Sequence, residues 1–136
     1  MAKTIMIVDD VPFVRQTLNE ILTAAHYQVV GEASDGQEAI ALYTKLRPDL
    51  VTMDVVMPKV SGIDAAKTII KMDKNAKVVI ISAMGQESLI MEAINAGAMD
   101  YILKPFSAKD VLKTVERALL DENQLLGRAH HKESKA

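Results

Sequence analysis

The chain has 136 residues, with 16 Lys and Arg against 18 Asp and Glu, a formal net charge of −2 and no cysteine. That length fits one domain with its own apolar core, and 49% hydrophobic residues argue against disorder. The near-neutral charge lacks the basic footprint of a nucleic-acid binder, and the missing cysteines exclude disulfides, thiolate metal sites and cysteine nucleophiles.

The first strand is predicted at Ile5–Val8, a run too short for a signal peptide or a membrane span and closed by Asp9-Asp10. The reading is therefore a cytoplasmic protein with no membrane segment. A helix follows, with Val11, Val14, Leu18, Ile21, Leu22 and Ala25 at helical spacing and Pro12 near its start, where a missing N–H costs little. The second strand is predicted at Gln28–Gly31. The second helix opens on Asp35-Gly36-Gln37-Glu38, read as a capping box, and carries Ala39, Ile40, Tyr43 and Leu46. The third strand is Leu50–Met53, and its helix follows Ser61-Gly62 with Ile63, Ala66, Ile69 and Ile70. The fourth strand is Val78–Ile81, and its helix carries Leu89, Ile90, Ala93 and Ile94 and stops at Gly97. The fifth strand is Met99–Leu103, followed by a helix that starts at Ser107 and carries Val111, Leu112, Val115 and Leu119. Five alternations of strand and helix predict an α/β fold, a parallel sheet with helices on both faces. Residues 121–136 read as a polar tail that extends the last helix and then frays, with His130-His131 solvated rather than a metal site.

Sites on such sheets form outside the carboxyl ends of the strands. There the sequence places Asp9 and Asp10, Asp54, Ser82 and Lys104. Each has a plainer account alone: helix-start acids, a turn aspartate before Met57-Pro58, a cap serine, a loop lysine. Together they make chemical sense. Three converging carboxylates repel one another and raise each other's pKa, and a hard divalent cation relieves this. Mg2+ takes about six oxygen ligands and pairs with a few carboxylates plus a phosphoryl oxygen. Lys104 adds a positive charge and Ser82 a hydroxyl donor, so the set is similar to a phosphoryl-transfer site in which one carboxylate is the nucleophile.

The motifs Ile7-Val8-Asp9-Asp10, Asp54-Val55-Val56-Met57-Pro58 with Gly62, Ser82-Ala83, Gly97-Ala98 with Tyr101, and Lys104-Pro105-Phe106 resemble, in order and spacing, those of response-regulator receiver domains, most of all the single-domain chemotaxis regulators. The resemblance implies a flavodoxin-like, doubly wound (βα)5 fold of strand order 2-1-3-4-5 over residues 1–120, followed by the tail 121–136. It implies that Asp54 is the phosphoacceptor and that Mg2+, or Mn2+ in its place, is held by Asp10 directly, by Asp9 largely through water, by Asp54 and by the backbone carbonyl of Val56. Ser82 and Lys104 would contact the phosphoryl oxygens, and Ser82 with Tyr101 would form the switch. The Lys104–Pro105 bond would be cis.

The implied function is a phosphorylation-dependent switch in a two-component system. A sensor histidine kinase donates the phosphoryl group, and partner binding changes through the fourth helix, fifth strand and fifth helix. The implied partners are that kinase, the flagellar motor switch protein and a phosphatase, for a monomeric chain that binds neither nucleic acid nor membrane. A phosphorelay intermediate is the alternative. The 16 residues after the domain are too few for a DNA-binding domain. Such a protein catalyses its own phosphotransfer and dephosphorylation at Asp54 but is not expected to turn over as an enzyme. A phosphatase of similar fold would want a second acid two residues after the nucleophile, where Val56 stands. A flavin or nucleotide binder would want a Gly- or Ser-rich loop where Asp9-Asp10 stands. Val56 and Met84 are apolar where well-studied regulators often carry polar groups, which predicts an altered, longer phosphoryl lifetime.

Overall fold

The computed structural model describes residues 2–120. The readings made for the tail, including His130-His131, lie outside the described residues. Strands β1 (Thr4–Val8), β2 (Gln28–Ala33), β3 (Leu50–Asp54), β4 (Val78–Ala83) and β5 (Asp100–Lys104) alternate with helices α1 (Pro12–Ala24), α2 (Gly36–Leu46), α3 (Gly62–Met72), α4 (Glu87–Asn95) and α5 (Ala108–Ala118). All neighbours pair in parallel, in the order β2-β1-β3-β4-β5.

The apolar runs of β1, β3 and β4 are buried on both faces, as a parallel sheet between two helical layers requires. Side chains alternate across the sheet. Ile5, Ile7, Leu50, Val79, Ile81 and Ile102 pack on one side with Leu18 and Leu22 of α1 and Val111 and Val115 of α5. Met6, Val8, Val51, Met53, Val78 and Ile80 pack on the other with residues of α2, α3 and α4.

Several local expectations need correction. β2 runs on to Ala33 and β4 to Ala83, and β5 is displaced by one residue, to Asp100–Lys104. The last residues of these strands are polar or small but still pair with a neighbour. Asp54, Ser82 and Lys104 are accordingly strand residues rather than the first loop residues. Val11 is no part of the α1 stripe: it is the exposed N-cap, and Pro12 takes the first helical position. At α2, Asp35 accepts from the Glu38 N–H at 2.8 Å, but the Glu38 carboxylate reaches back to the N–H of Ser34 at 2.7 Å, not to that of Asp35. Among the described residues the reciprocal box forms in full only at α5, between Ser107 and Asp110.

Candidate functional site

Asp9 follows the end of β1, its N–H bonded to the Ala33 carbonyl of β2 at 3.1 Å. Its Oδ1 accepts from the N–H of Val11 at 2.9 Å, which orients the carboxylate at the start of α1. Asp54 ends β3, between β1 and β4, and Lys104 ends β5 opposite Ala83 of β4. The Lys104–Pro105 peptide bond is cis. The Lys104 ammonium lies 3.2 Å from Asp54 Oδ1 and 3.3 Å from Asp9 Oδ2. Ligand oxygens of Asp9, Asp10 and Asp54 all lie within 4.8 Å of one another. The five strand-end groups singled out in the sequence thus stand at one edge of the sheet.

Their environments differ. Asp9, Asp54 and Ser82 are buried and Asp10 is exposed. Burial, then the Asp9 charge, push the Asp54 carboxyl up to about 6, against the opposing pull of Lys104. Burial works against the Lys104 ammonium, but the adjoining Asp54 and Asp9 carboxylates outweigh it and raise its pKa above the ordinary lysine value. Two buried oxygens here, Asp9 Oδ2 and Ser82 Oγ, have no hydrogen-bond partner, and neither has Thr52 Oγ1, two residues before Asp54. A buried polar atom without a partner is destabilising unless a ligand or solvent meets it. The Asp9–Lys104 contact is an ion pair without hydrogen-bond geometry.

The loop from β3 to α3 passes over this edge and is held at both ends. The Gly62 N–H donates to the Val55 carbonyl at 2.9 Å, and the Gly36 N–H donates to the Val60 carbonyl at 3.1 Å. A Cβ at Gly36 would come within 2.1 Å of the Val60 oxygen, so only glycine permits that approach. Lys59, at φ 64°, turns the loop and pairs with Asp35 at 3.7 Å. These anchors fix the segment that carries Val56. Three apolar side chains close in sequence to the site residues are exposed: Val56 at 56%, Met84 at 83%, and Phe13, on the first turn of α1, at 75%. Tyr101, at 44% exposure, faces outward.

Sequence reasoning missed the brace behind Asp9. The Arg15 guanidinium donates to the Asp9 carbonyl at 2.7 Å and pairs with Glu32 at 3.3 Å. Asn19 donates to the other oxygen of Glu32 at 3.0 Å. The one sequence signal was an acid near the end of the second strand. It also missed Gly36, read only as a helix start, and Gln86, whose Oε1 accepts from the Ala83 N–H at 2.7 Å.

Residues 5–116 match the response regulator receiver domain family. The chemotaxis protein CheY of Thermotoga maritima is 50% identical over 117 residues, 86% of this chain and 98% of that protein. CheY of Bacillus subtilis is 45% identical over 119 residues, 88% and 99% of the two chains. Among solved structures, the CheX–CheY–BeF3–Mg2+ complex from Borrelia burgdorferi superimposes with a TM-score of 0.84 at 36% identity, covering 88% of this chain and 90% of that one. With the fold, the sheet order and these matches in agreement, the chain belongs to the receiver domains of two-component response regulators.

Proposed function

We propose that the chain is a phosphorylation-dependent switch that accepts a phosphoryl group on Asp54 and signals by a change of protein contacts. The observation that carries this reading is the Asp54 carboxylate itself, buried, flanked by Asp9 and Asp10 and paired with Lys104 at 3.2 Å. The donor set fits Mg2+, or Mn2+ in its place: hard oxygens only, one of them the unpartnered Asp9 Oδ2. Asp10 and Asp54 would hold the ion directly, Asp9 largely through water, and the Val56 carbonyl would complete the protein's share. Bound there, the ion offsets the mutual repulsion of the carboxylates and the charge of an incoming phosphoryl group.

An Asp54 oxygen attacks the phosphorus of a phosphohistidine on a sensor kinase, the P–N bond breaks, and the imidazole leaves with the electron pair. The Lys104 ammonium, already beside Asp54, balances negative charge on the phosphoryl oxygens. Ser82 Oγ has a free donor to give them. Its movement toward Asp54 leaves space that Tyr101, exposed in this state, turns inward to fill. The surface that registers the change lies on α4, β5 and α5. Met84, Met91, Tyr101 and Leu103 expose apolar area there around a cavity of about 190 Å³.

The CheY relatives and the CheX-bound Borrelia structure support chemotaxis. The partners are then a chemotaxis kinase, the flagellar motor switch protein and a phosphatase. No described helix is long and apolar enough to cross a membrane. The same reading has the chain work in the cytoplasm as a monomer. The test is Mg2+-dependent labelling by acetyl phosphate, read by intact mass because the chain has no Trp to report it by fluorescence. One phosphoryl group is expected per chain and none on Asp54→Ala. Label that persists on Asp54→Ala would sink the reading. A pull-down of the phosphorylated form against a flagellar switch protein separates chemotaxis from a phosphorelay role.

A further inference from the structure

Successive peptide groups of a strand point alternately to its two neighbours. The Ile81 carbonyl accepts from the Val55 N–H at 3.1 Å, so Ile81 presents its peptide groups to the β3 side. Two residues on, Ala83 presents its N–H to that same side, next to Asp54. The next acceptor of the ladder would be the Val55 carbonyl, but that oxygen accepts from the Gly62 N–H at 2.9 Å. The Ala83 amide therefore has no strand partner. It donates at 2.7 Å to the side chain of Gln86 instead. Gly85, at φ 92°, makes the turn that brings Gln86 back; a Cβ there would meet nothing within 4 Å, so it is the backbone angle that calls for glycine. Gln86 is also the N-cap residue of α4. Its carbonyl accepts from Leu89 and Ile90, each at 3.1 Å, while its side chain caps no helix N–H. One residue thus ties the end of β4 to the first turn of α4.

We propose that Gln86 is a latch: its carboxamide holds the Ala83 amide in the resting protein and gives it up to an oxygen of the group formed on Asp54, which frees the start of α4. This deepens the proposed function and rests on Asp54 being the phosphoacceptor. Ser82 Oγ, unpartnered, and the Ala83 N–H, held only by a side chain, are adjacent donors on the same strand end. An anion that takes both must displace Gln86. Loss of that bond leaves the start of α4, among the described residues, without a side-chain hydrogen bond to the end of β4. Gln86 is a positioning residue in this scheme and touches no reacting atom.

The test uses the full chain with Mg2+ and beryllofluoride, a stable mimic of the phosphoryl group, followed in 1H–15N spectra. Gln86→Met keeps the shape of the side chain and removes the acceptor; Gln86→Ala removes the side chain. Both are expected to bind the anion about three- to tenfold more tightly than the parent, the span set by one hydrogen bond that no longer has to be broken. The Ala83 amide should shift on binding in the parent and exchange faster in the free variants. Its bound-state position should be the same in all three proteins. An unmoved Ala83 amide in the parent, or parent-like affinity in Gln86→Met, would overturn the latch while leaving Asp54 as acceptor. A parent protein that does not bind beryllofluoride would overturn the reading of Asp54, and the latch with it.

Discussion

Gly62 and Asp54 meet backbone to backbone: a Cβ on Gly62 would lie 1.7 Å from the Asp54 carbonyl oxygen and 2.7 Å from its carbonyl carbon. The first residue of α3 is thereby seated against the last residue of β3. The contact sets how the intervening loop, with the Val56 carbonyl, lies over the carboxylates.

A side chain at Gly62 must push this backbone apart. Gly62→Ala is expected to lose about 1–3 kcal/mol of stability in urea unfolding, the usual range for overpacking, and to weaken Mg2+ binding in the folded protein. Unchanged Mg2+ affinity in a destabilised but folded variant would separate the two roles and refute the second.

Asp54 gives a pH dependence of unusual sign. Its carboxyl is pushed up from 3.8 to about 6 in the folded protein, first by burial and then by Asp9. Between those two values the native state keeps a proton that the unfolded chain has lost, so stability falls as pH rises through that window. Above it the ionised group destabilises the metal-free fold by about 2–3 kcal/mol. In EDTA, Asp54→Asn should therefore be more stable than the parent at pH 7.5 and no different near pH 3.5. Mg2+ should narrow or reverse the gap by stabilising the parent. Thermal melts of both proteins over that pH range decide it, and a less stable Asp54→Asn at pH 7.5 would show that burial is not the dominant influence.

On the proposed phosphorylation of Asp54, two side chains bear on the lifetime of the acyl phosphate. Val56 and Met84, two residues after Asp54 and Ser82, are exposed and apolar and offer no group to orient an attacking water. Val56→Asn and Met84→Glu, singly and together, should speed dephosphorylation more than twofold. Rates that stay within twofold in all three variants would mean that these side chains do not set the lifetime.

At the other edge of the sheet, the buried Tyr43 donates to Asp73 at 2.8 Å, and Arg47 pairs with the same carboxylate at 3.4 Å. This joins the end of α2 to the end of α3. Tyr43→Phe is expected to lose about 1 kcal/mol of stability. Its phosphorylation rate should match that of the parent; a slower rate would mean that the two edges are coupled.

Asp9, Asp54, Ser82 and Lys104 were legible because each closes a short apolar run, and parallel strands bring their carboxyl ends to one edge. The helical stripes were legible for the same reason, with Val11 misplaced because Pro12 starts the helix one residue later. What could not be read was contact without a repeating pattern. Arg15 on the Asp9 carbonyl and Gln86 on the Ala83 N–H are near in sequence but follow no recurring spacing, and the approach of Gly36 to the Val60 carbonyl exists only once α2 and the loop after β3 are packed. Glu38 shows the limit most simply, since its pattern with Asp35 was right and its partner was one residue away.

The alternation of side chains across the sheet has a further result at its edge. Asp54 and Lys104 continue the rows of Leu50 and Ile102, on the side covered by α1 and α5, whereas Ser82 continues the row of Val78 and Ile80, on the side covered by α2, α3 and α4. The pocket is a seam where two separately packed cores present groups to a single point. A group on Asp54 that draws Ser82 toward it pulls one core against the other across the sheet. On the proposed phosphorylation of Asp54, a change at one carboxylate would thus reach both packed layers of the sheet at once.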